Sequence, residues 1–281
     1  MSDRFPISCF ADEIDADLDK QLDCMNELEI GLMDVRHIAD RNVSKFTDEE
    51  AEDVASRCAA RGVAVSCIGS PVGKSSLDEP IENEIANLTR CCEIARRVGT
   101  DNVRVFSFYP PDTSTNAHYD QHLDECIGRM SHLADVAETM DCRLLLENER
   151  QIVTDTPDRC LRVVEGVSSP RLKLVWDPAN FVGLANDLMS KWWPQLVHHV
   201  ALIHVKDAKI GEKGAVAAGE GHGECPQLIA ELIRIDFQGI LALEPHLAVA
   251  GHSGGFSGPE GMARAAGALR DLVAASETTA G

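Results

Sequence analysis

The chain has 281 residues, 26 of them Lys or Arg and 46 Asp or Glu, so its formal charge is −20 and a surface for tracking nucleic-acid phosphates is excluded as its main device. At 44% hydrophobic and 26% charged, it has the composition of an ordinary globular protein, long enough for two average domains or one large α/β barrel. No run nears the roughly 20 apolar residues that cross a bilayer, and residues 1–10 lack the basic start and apolar stretch of a secretion signal, so a cytoplasmic protein with no membrane partner is expected.

Short apolar runs alternate with longer amphipathic segments, the pattern of repeated βα units around a parallel sheet. In chain order, the predicted strands are residues 6–11, 31–35, 63–68, 102–106, 143–147, 172–177, 200–204 and 240–244. Helix starts fall between them: Thr47 and Glu50 have capping-box spacing, Thr156 precedes Pro157, and Ser257 is followed by Glu260. Gly62 and Gly99 follow Arg-containing helical stretches, as helix C-terminal glycines do. Eight strands at about 35 residues per unit predict an α/β protein with a single (β/α)8 TIM barrel over residues 1–281. A doubly wound sheet is disfavoured, because no G-x-G-x-x-G opens the first helix and no G-x-x-x-x-G-K-[ST] occurs. The ten cysteines are scattered without a Cys-x-x-Cys pair and read as buried, reduced thiols.

Two glycine-rich loops, 209–223 and 248–258, follow the last two strands, where barrel enzymes keep ligand-contacting loops. In the second, Ser257 is expected to cap the last helix or to join a substrate cradle. The last four strands themselves end in chemistry: RLLLE at Glu147, KLVWD at Asp177, ALIH at His204 and LALE at Glu244. Neighbouring barrel strands put their C-terminal ends side by side, so these four groups are expected to converge on one rim. Three carboxylates and an imidazole suit one hard or borderline divalent ion, Mn²⁺ before Mg²⁺, Co²⁺ or Zn²⁺, with positions left for two substrate oxygens. Two residues on along the same face lie Glu149, Lys206 and His246, candidate substrate contacts. The first-half strands end near Glu13, Arg36 and Ser107, which would line the substrate side, Arg36 offering a fork to hydroxyls or a carboxylate.

These residues resemble the xylose-isomerase-like TIM-barrel superfamily, in particular its sugar phosphate isomerase/epimerase branch. The resemblance spans nearly the whole chain and is carried by FADEI (10–14), SCIGSPVGK (66–74), RVFSFYPP (104–111), LENE (146–149), DTPDRC (155–160), WDPANF (176–181), HVKDA (204–208), AGEG (218–221) and LEPHL (243–247). It implies that Glu147, Asp177, His204 and Glu244 hold one divalent metal, often manganese, and that Glu147 and Glu244 act as an acid/base pair on opposite faces of a keto-sugar or keto-glycoside. An inosose or keto-sugar dehydratase on the same metal site is the alternative. Where ketose 3-epimerases carry histidine three residues after the metal aspartate, this chain has Asn180, also a candidate substrate contact. An endonuclease IV-like nuclease shares the barrel but needs a histidine there and an Asp-x-His after the seventh strand; Asn180 and Asp207-Ala208-Lys209 stand instead. The expected partner is thus a small carbohydrate, and a homo-oligomer is left open.

Overall fold

The computed structural model describes residues 4–39, 41–111, 116–247 and 257–280. Eight strands, β1 (Ile7–Phe10), β2 (Leu32–Val35), β3 (Ala64–Ile68), β4 (Asn102–Val105), β5 (Arg143–Glu147), β6 (Leu172–Trp176), β7 (Val200–Val205) and β8 (Ile240–Leu243), pair in parallel with their sequence neighbours. β8 closes on β1 through Ile7 opposite Leu241 and Cys9 opposite Leu243, completing a (β/α)8 barrel. Every strand lies within one residue of its expected bounds. The runs were legible because strands covered on both faces are almost wholly apolar.

Helices α1 (Leu18–Glu27), α2 (Asp48–Ala60), α3 (Ile81–Val98), α4 (Leu123–Met140), α5 (Pro157–Val167), α6 (Trp193–Leu196), α7 (Cys225–Arg234) and α8 (Gly258–Ala280) surround the strands. α2 has the expected capping box, with Glu50 N–H donating to Thr47 Oγ1 at 3.2 Å and Thr47 N–H to Glu50 at 2.7 Å. α5 starts at Pro157, but the Thr156 hydroxyl makes no capping bond. Gly99 ends α3 in a left-handed turn at φ 84°. Between β6 and β7 the barrel has no long helix, only α6 and the short helical turns Pro178–Phe181, Leu188–Trp192 and Val197–His199. Trp176 anchors this segment edge-on against Phe181 at 5.1 Å and Trp193 at 5.3 Å.

Period-two alternation divides each strand between two cores. Leu144 and Leu146 pack outward under the helices, whereas Leu145 joins Cys67, Val175, Leu202 and Ala242 in a separate cluster inside the barrel. Two residues further on from Leu145, Val175, Leu202 and Ala242 come Glu147, Asp177, His204 and Glu244, directly above that apolar plug. The fold thus sets four polar groups on a dry, rigid floor.

Two small hairpins rise after β2 and β7, His37–Ile38 against Arg41–Asn42 and Asp207–Ala208 against Ala215–Val216. The loop after β3 leans on the exit of β4, with Phe106 N–H donating to Val72 O and Phe108 N–H to Gly73 O. Gly73, at φ 83°, allows this approach because a side chain there would strike the Phe106 carbonyl. All ten cysteines are buried, unpaired thiols, and no helix among the described residues is long and apolar enough to cross a membrane. Residues 248–256 of the second glycine-rich loop lie outside the described residues.

Candidate metal centre and adjoining cleft

Glu147, Asp177, His204 and Glu244 converge as their strand ends require: each is buried, and one ligand atom from each lies within 4.8 Å of all the others. His204 Nδ1 is 3.1 Å from Glu147 Oε1, 3.3 Å from Glu244 Oε2 and 3.8 Å from Asp177 Oδ2. The edge-on ring of Phe10, 5.2 Å away, supports the imidazole from β1. The donor set fits a divalent cation, since three buried carboxylates repel one another, their oxygens and one ring nitrogen face a common point, and the buried Glu147 Oε2 accepts no hydrogen bond, having only the charge of Arg104 at 3.2 Å.

The second ring surrounds this cluster with cations. Lys206 Nζ stands 2.7 Å from Asp177 Oδ2 and 2.9 Å from Glu244 Oε2. Arg36 reaches Glu244 Oε1 at 3.0 Å and Asp12 at 2.7 Å, and His246 Nε2 reaches the same Glu244 oxygen at 3.2 Å. Arg104 lies 3.2 Å from Glu147 Oε2 and 3.8 Å from Glu244 Oε1. Burial alone would raise the pKa of both glutamates, but these neighbours reverse it. His204 and Arg104 hold Glu147 down at about 2, and Lys206, His246 and His204 hold Glu244 well below the carboxylate range. Burial opposes the charge on His204 and on Lys206, yet the surrounding carboxylates lift both well above their usual values.

The structure places the remaining candidates differently. Asn180 is engaged by the carboxylate cluster itself: its side-chain amide donates to Asp177 Oδ2 at 2.9 Å and to Asn148 O at 2.9 Å. Asn148 completes the clasp, accepting the Asp177 N–H and donating to the Asp177 carbonyl. Ser107 is turned away; its Oγ accepts the Thr154 N–H and pairs with the Thr154 hydroxyl. Glu13 is wholly buried beneath the rim, where it accepts hydrogen bonds from His246 N–H and the Ser257 hydroxyl and lies 3.3 Å from His246 Nδ1. The Ser257 hydroxyl, expected to cap α8, therefore bridges Glu13 and Leu247 N–H, tying the exit of β8 to the start of α8.

Glu149 lines an open cleft of about 510 Å³ with Arg150, Asn180, Lys206, Lys209 and His246, so the cleft abuts the carboxylate cluster. The hairpin after β7 forms its far wall, and residues 209–214 of loop 209–223, expected to contact ligand, line the cleft. Residues 219–223 of the same loop are instead a brace. Buried Asp207 accepts the N–H groups of Gly219, Gly221 and Gly223, and at Gly221 a side chain would run into Asp207 and the Ala208 carbonyl. Asp207 and Asn180, the positions where a nuclease would need further metal ligands, are both occupied by such structural bonds.

Arg104, Asn148, Asp12 and Phe10 escape sequence reasoning. Arg104 alone carries a readable signal, a charged residue in the otherwise apolar strand NVRV; the others depend on contacts across the barrel.

The fold recurs in solved structures of low identity. A D-psicose 3-epimerase from Clostridium cellulolyticum H10, solved with D-tagatose, aligns at TM-score 0.74 and 13% identity over 95% of this chain and 99% of that one. The IOLI protein with a bound zinc atom aligns at 0.76 and 17% over 96% and 99%, and the probable 3-DHS dehydratase AsbF of petrobactin synthesis from Bacillus anthracis at 0.73 and 17% over 95% and 98%. No protein of curated function matches the chain in sequence. The sequence profile of the xylose isomerase-like TIM barrel matches residues 25–274, and the chain belongs to that family.

Proposed function

We propose that the protein is a divalent-metal-dependent epimerase or isomerase of a keto-sugar or keto-glycoside, working through an enediolate. The observation that carries this is the convergence of Glu147 and Glu244, two buried carboxylates from β5 and β8, with Asp177 and His204 at one point. The solved epimerase and zinc-containing neighbours support the same reading. Glu147, Asp177, His204 and Glu244 would hold the cation, Mn²⁺ being the choice best suited to the mostly oxygen donor set. When bound, it would polarise the substrate carbonyl and stabilise enediolate charge by several kcal/mol.

The chain's own groups divide the remaining work. One glutamate takes the proton from the carbon beside the carbonyl, and the other returns a proton to the opposite face, inverting that carbon. The low pKa of both glutamates keeps each ionised in the free site, so either can accept the substrate proton, and the one that donates first takes up a proton from solvent. Lys206, which reaches both Asp177 and Glu244, is placed to hold a substrate oxygen beside them, and His246 and Glu149 face the same cleft. Asn180 fixes the Asp177 carboxylate, and Asn148 fixes the Asp177 backbone. The apolar plug beneath and the packed rim exclude water from below, which strengthens each charge interaction above.

The test is incubation with keto-sugars and keto-glycosides in D₂O. An isobaric product with one inverted carbon and one solvent deuteron supports the proposal, and net loss of water would assign a dehydratase instead.

A further inference from the structure

The cleft beside the carboxylate cluster reverses the charge balance of the molecule. In a protein with a formal charge of −20, its lining includes Arg150, Lys206, Lys209 and Lys213 against Glu149 and Glu212. Most of the chain's arginines and lysines form ion pairs, as Lys206 does with Asp177 and Glu244 and Arg36 with Asp12 and Glu244. Arg150, Lys209 and Lys213 form no ion pair with a carboxylate among the described residues, although Asp155 and Glu220 act on Arg150 and Lys209 from further off. The Arg150 guanidinium is steadied by the carbonyls of Val182 at 2.6 Å and Ala179 at 3.4 Å, which fix its position without neutralising its charge. Of the two acids, Glu149 is already paired with Lys74 at 3.3 Å.

Lys209 and Lys213 flank the tip of the hairpin built by Asp207–Ala208 and Ala215–Val216. Between them, Ile210 is 60% exposed and faces the cleft, and no other large apolar side chain is so exposed among the described residues. Left-handed Gly211 (φ 78°) and Gly214 (φ 88°) turn the tip. In an acidic protein, three cations held in no ion pair around one concave surface raise the local concentration of an anion and orient it on arrival.

We propose that Arg150, Lys209 and Lys213 form an anion subsite for a phosphate or carboxylate group that the substrate carries away from its reacting carbon, with Ile210 covering the apolar part next to it. The subsite deepens the epimerase reading and rests on it for the position of the reacting carbon. The cleft geometry sets the anion at the hairpin and the sugar at Lys206 and His246.

Calorimetric titration of the Mn²⁺-supplied protein with glucose 6-phosphate, glucuronate and glucose tests it. Wild type is expected to bind at least one anionic probe at least about tenfold more tightly than glucose, with the better of the two identifying phosphate or carboxylate as the group received. Lys209→Gln/Lys213→Gln, checked for folding by circular dichroism, is expected to lose that preference. Lys173→Gln removes an unpaired lysine from β6 on the other end of the barrel and is expected to keep it. Equal binding of all three probes, or a preference that survives in the double variant, would overturn the subsite. A preference lost only in the double variant supports the subsite even if no keto-sugar exchanges a proton in D₂O, a result that would end the epimerase reading alone.

Discussion

Two groups of acids inside the barrel are equally buried and behave oppositely. At the rim, Glu147 and Glu244 stand among His204, Lys206, Arg36, Arg104 and His246, and their pKa values fall. Deeper in the lumen, Asp34 on β2 has hydroxyl partners, Ser66 and, at 3.3 Å, Ser8, and burial pushes it up to about 6. Desolvation is common to both layers. What separates them is how close the cations come: at the rim they touch the carboxylates, whereas His204 and Arg104 act on Asp34 without an ion pair, and its hydroxyl partners do not compensate for lost water. A carboxylate layer that stays ionised without bulk solvent is suited to proton abstraction, and Asp34 shows what a buried carboxylate becomes when the cations act on it without pairing with it.

The comparison can be broken at either layer. The largest effect is expected at the rim, where Glu147→Gln and Glu244→Gln should each lower solvent-deuterium incorporation by about 10²- to 10⁴-fold, the usual contribution of a positioned acid or base. NMR of the substrate C–H signal measures it, and activity persisting in both variants would contradict a two-carboxylate mechanism. At the deeper layer, Asp34 has a folded pKa raised above its unfolded value, so protonation stabilises the fold below about pH 4. That stability is lost as pH rises through about 6, and about 3 kcal/mol is at stake above it. Asp34→Asn should therefore raise the melting temperature at pH 8 and leave it nearly unchanged at pH 4; an equal shift at both pH values would mean that desolvated charge is not the cause.

Smaller effects sharpen the picture of the rim. Asn180→Ala frees the Asp177 carboxylate from its amide, and metal affinity should fall by about 10- to 100-fold, as when other orienting groups behind metal ligands are removed. Thr47→Ala, far from the chemistry, should cost only about 1 kcal/mol of stability through the lost capping box, with deuterium exchange unaffected.

The convergence of the candidate ligands is legible because two periodicities coincide: apolar runs mark the strands, and alternation of side chains puts Glu147, Asp177, His204 and Glu244 on the inner face just past the plug. Other features depend on partners that one strand cannot reveal. Arg104 becomes significant only once β4 is seen across from Glu147. Ser107 follows inward-facing Phe106, so the same alternation turns it outward, toward Thr154. Asn180 has the position of a substrate contact but the hydrogen bonds of a brace, because the short turn Pro178–Phe181 folds it back onto Asp177. The Ser257 hydroxyl is drawn from helix capping by buried Glu13, more than two hundred residues earlier in the chain, a carboxylate no local pattern could place there.

The central claim is that four buried side chains hold one divalent cation, and its most direct test is metal stoichiometry after reconstitution with Mn²⁺ and dialysis, read by mass spectrometry for wild type, Asp177→Ala and His204→Ala. The account predicts one ion per chain in wild type and strong loss in both variants. Full retention of the ion in both variants, or no ion bound by correctly folded wild type, would contradict it.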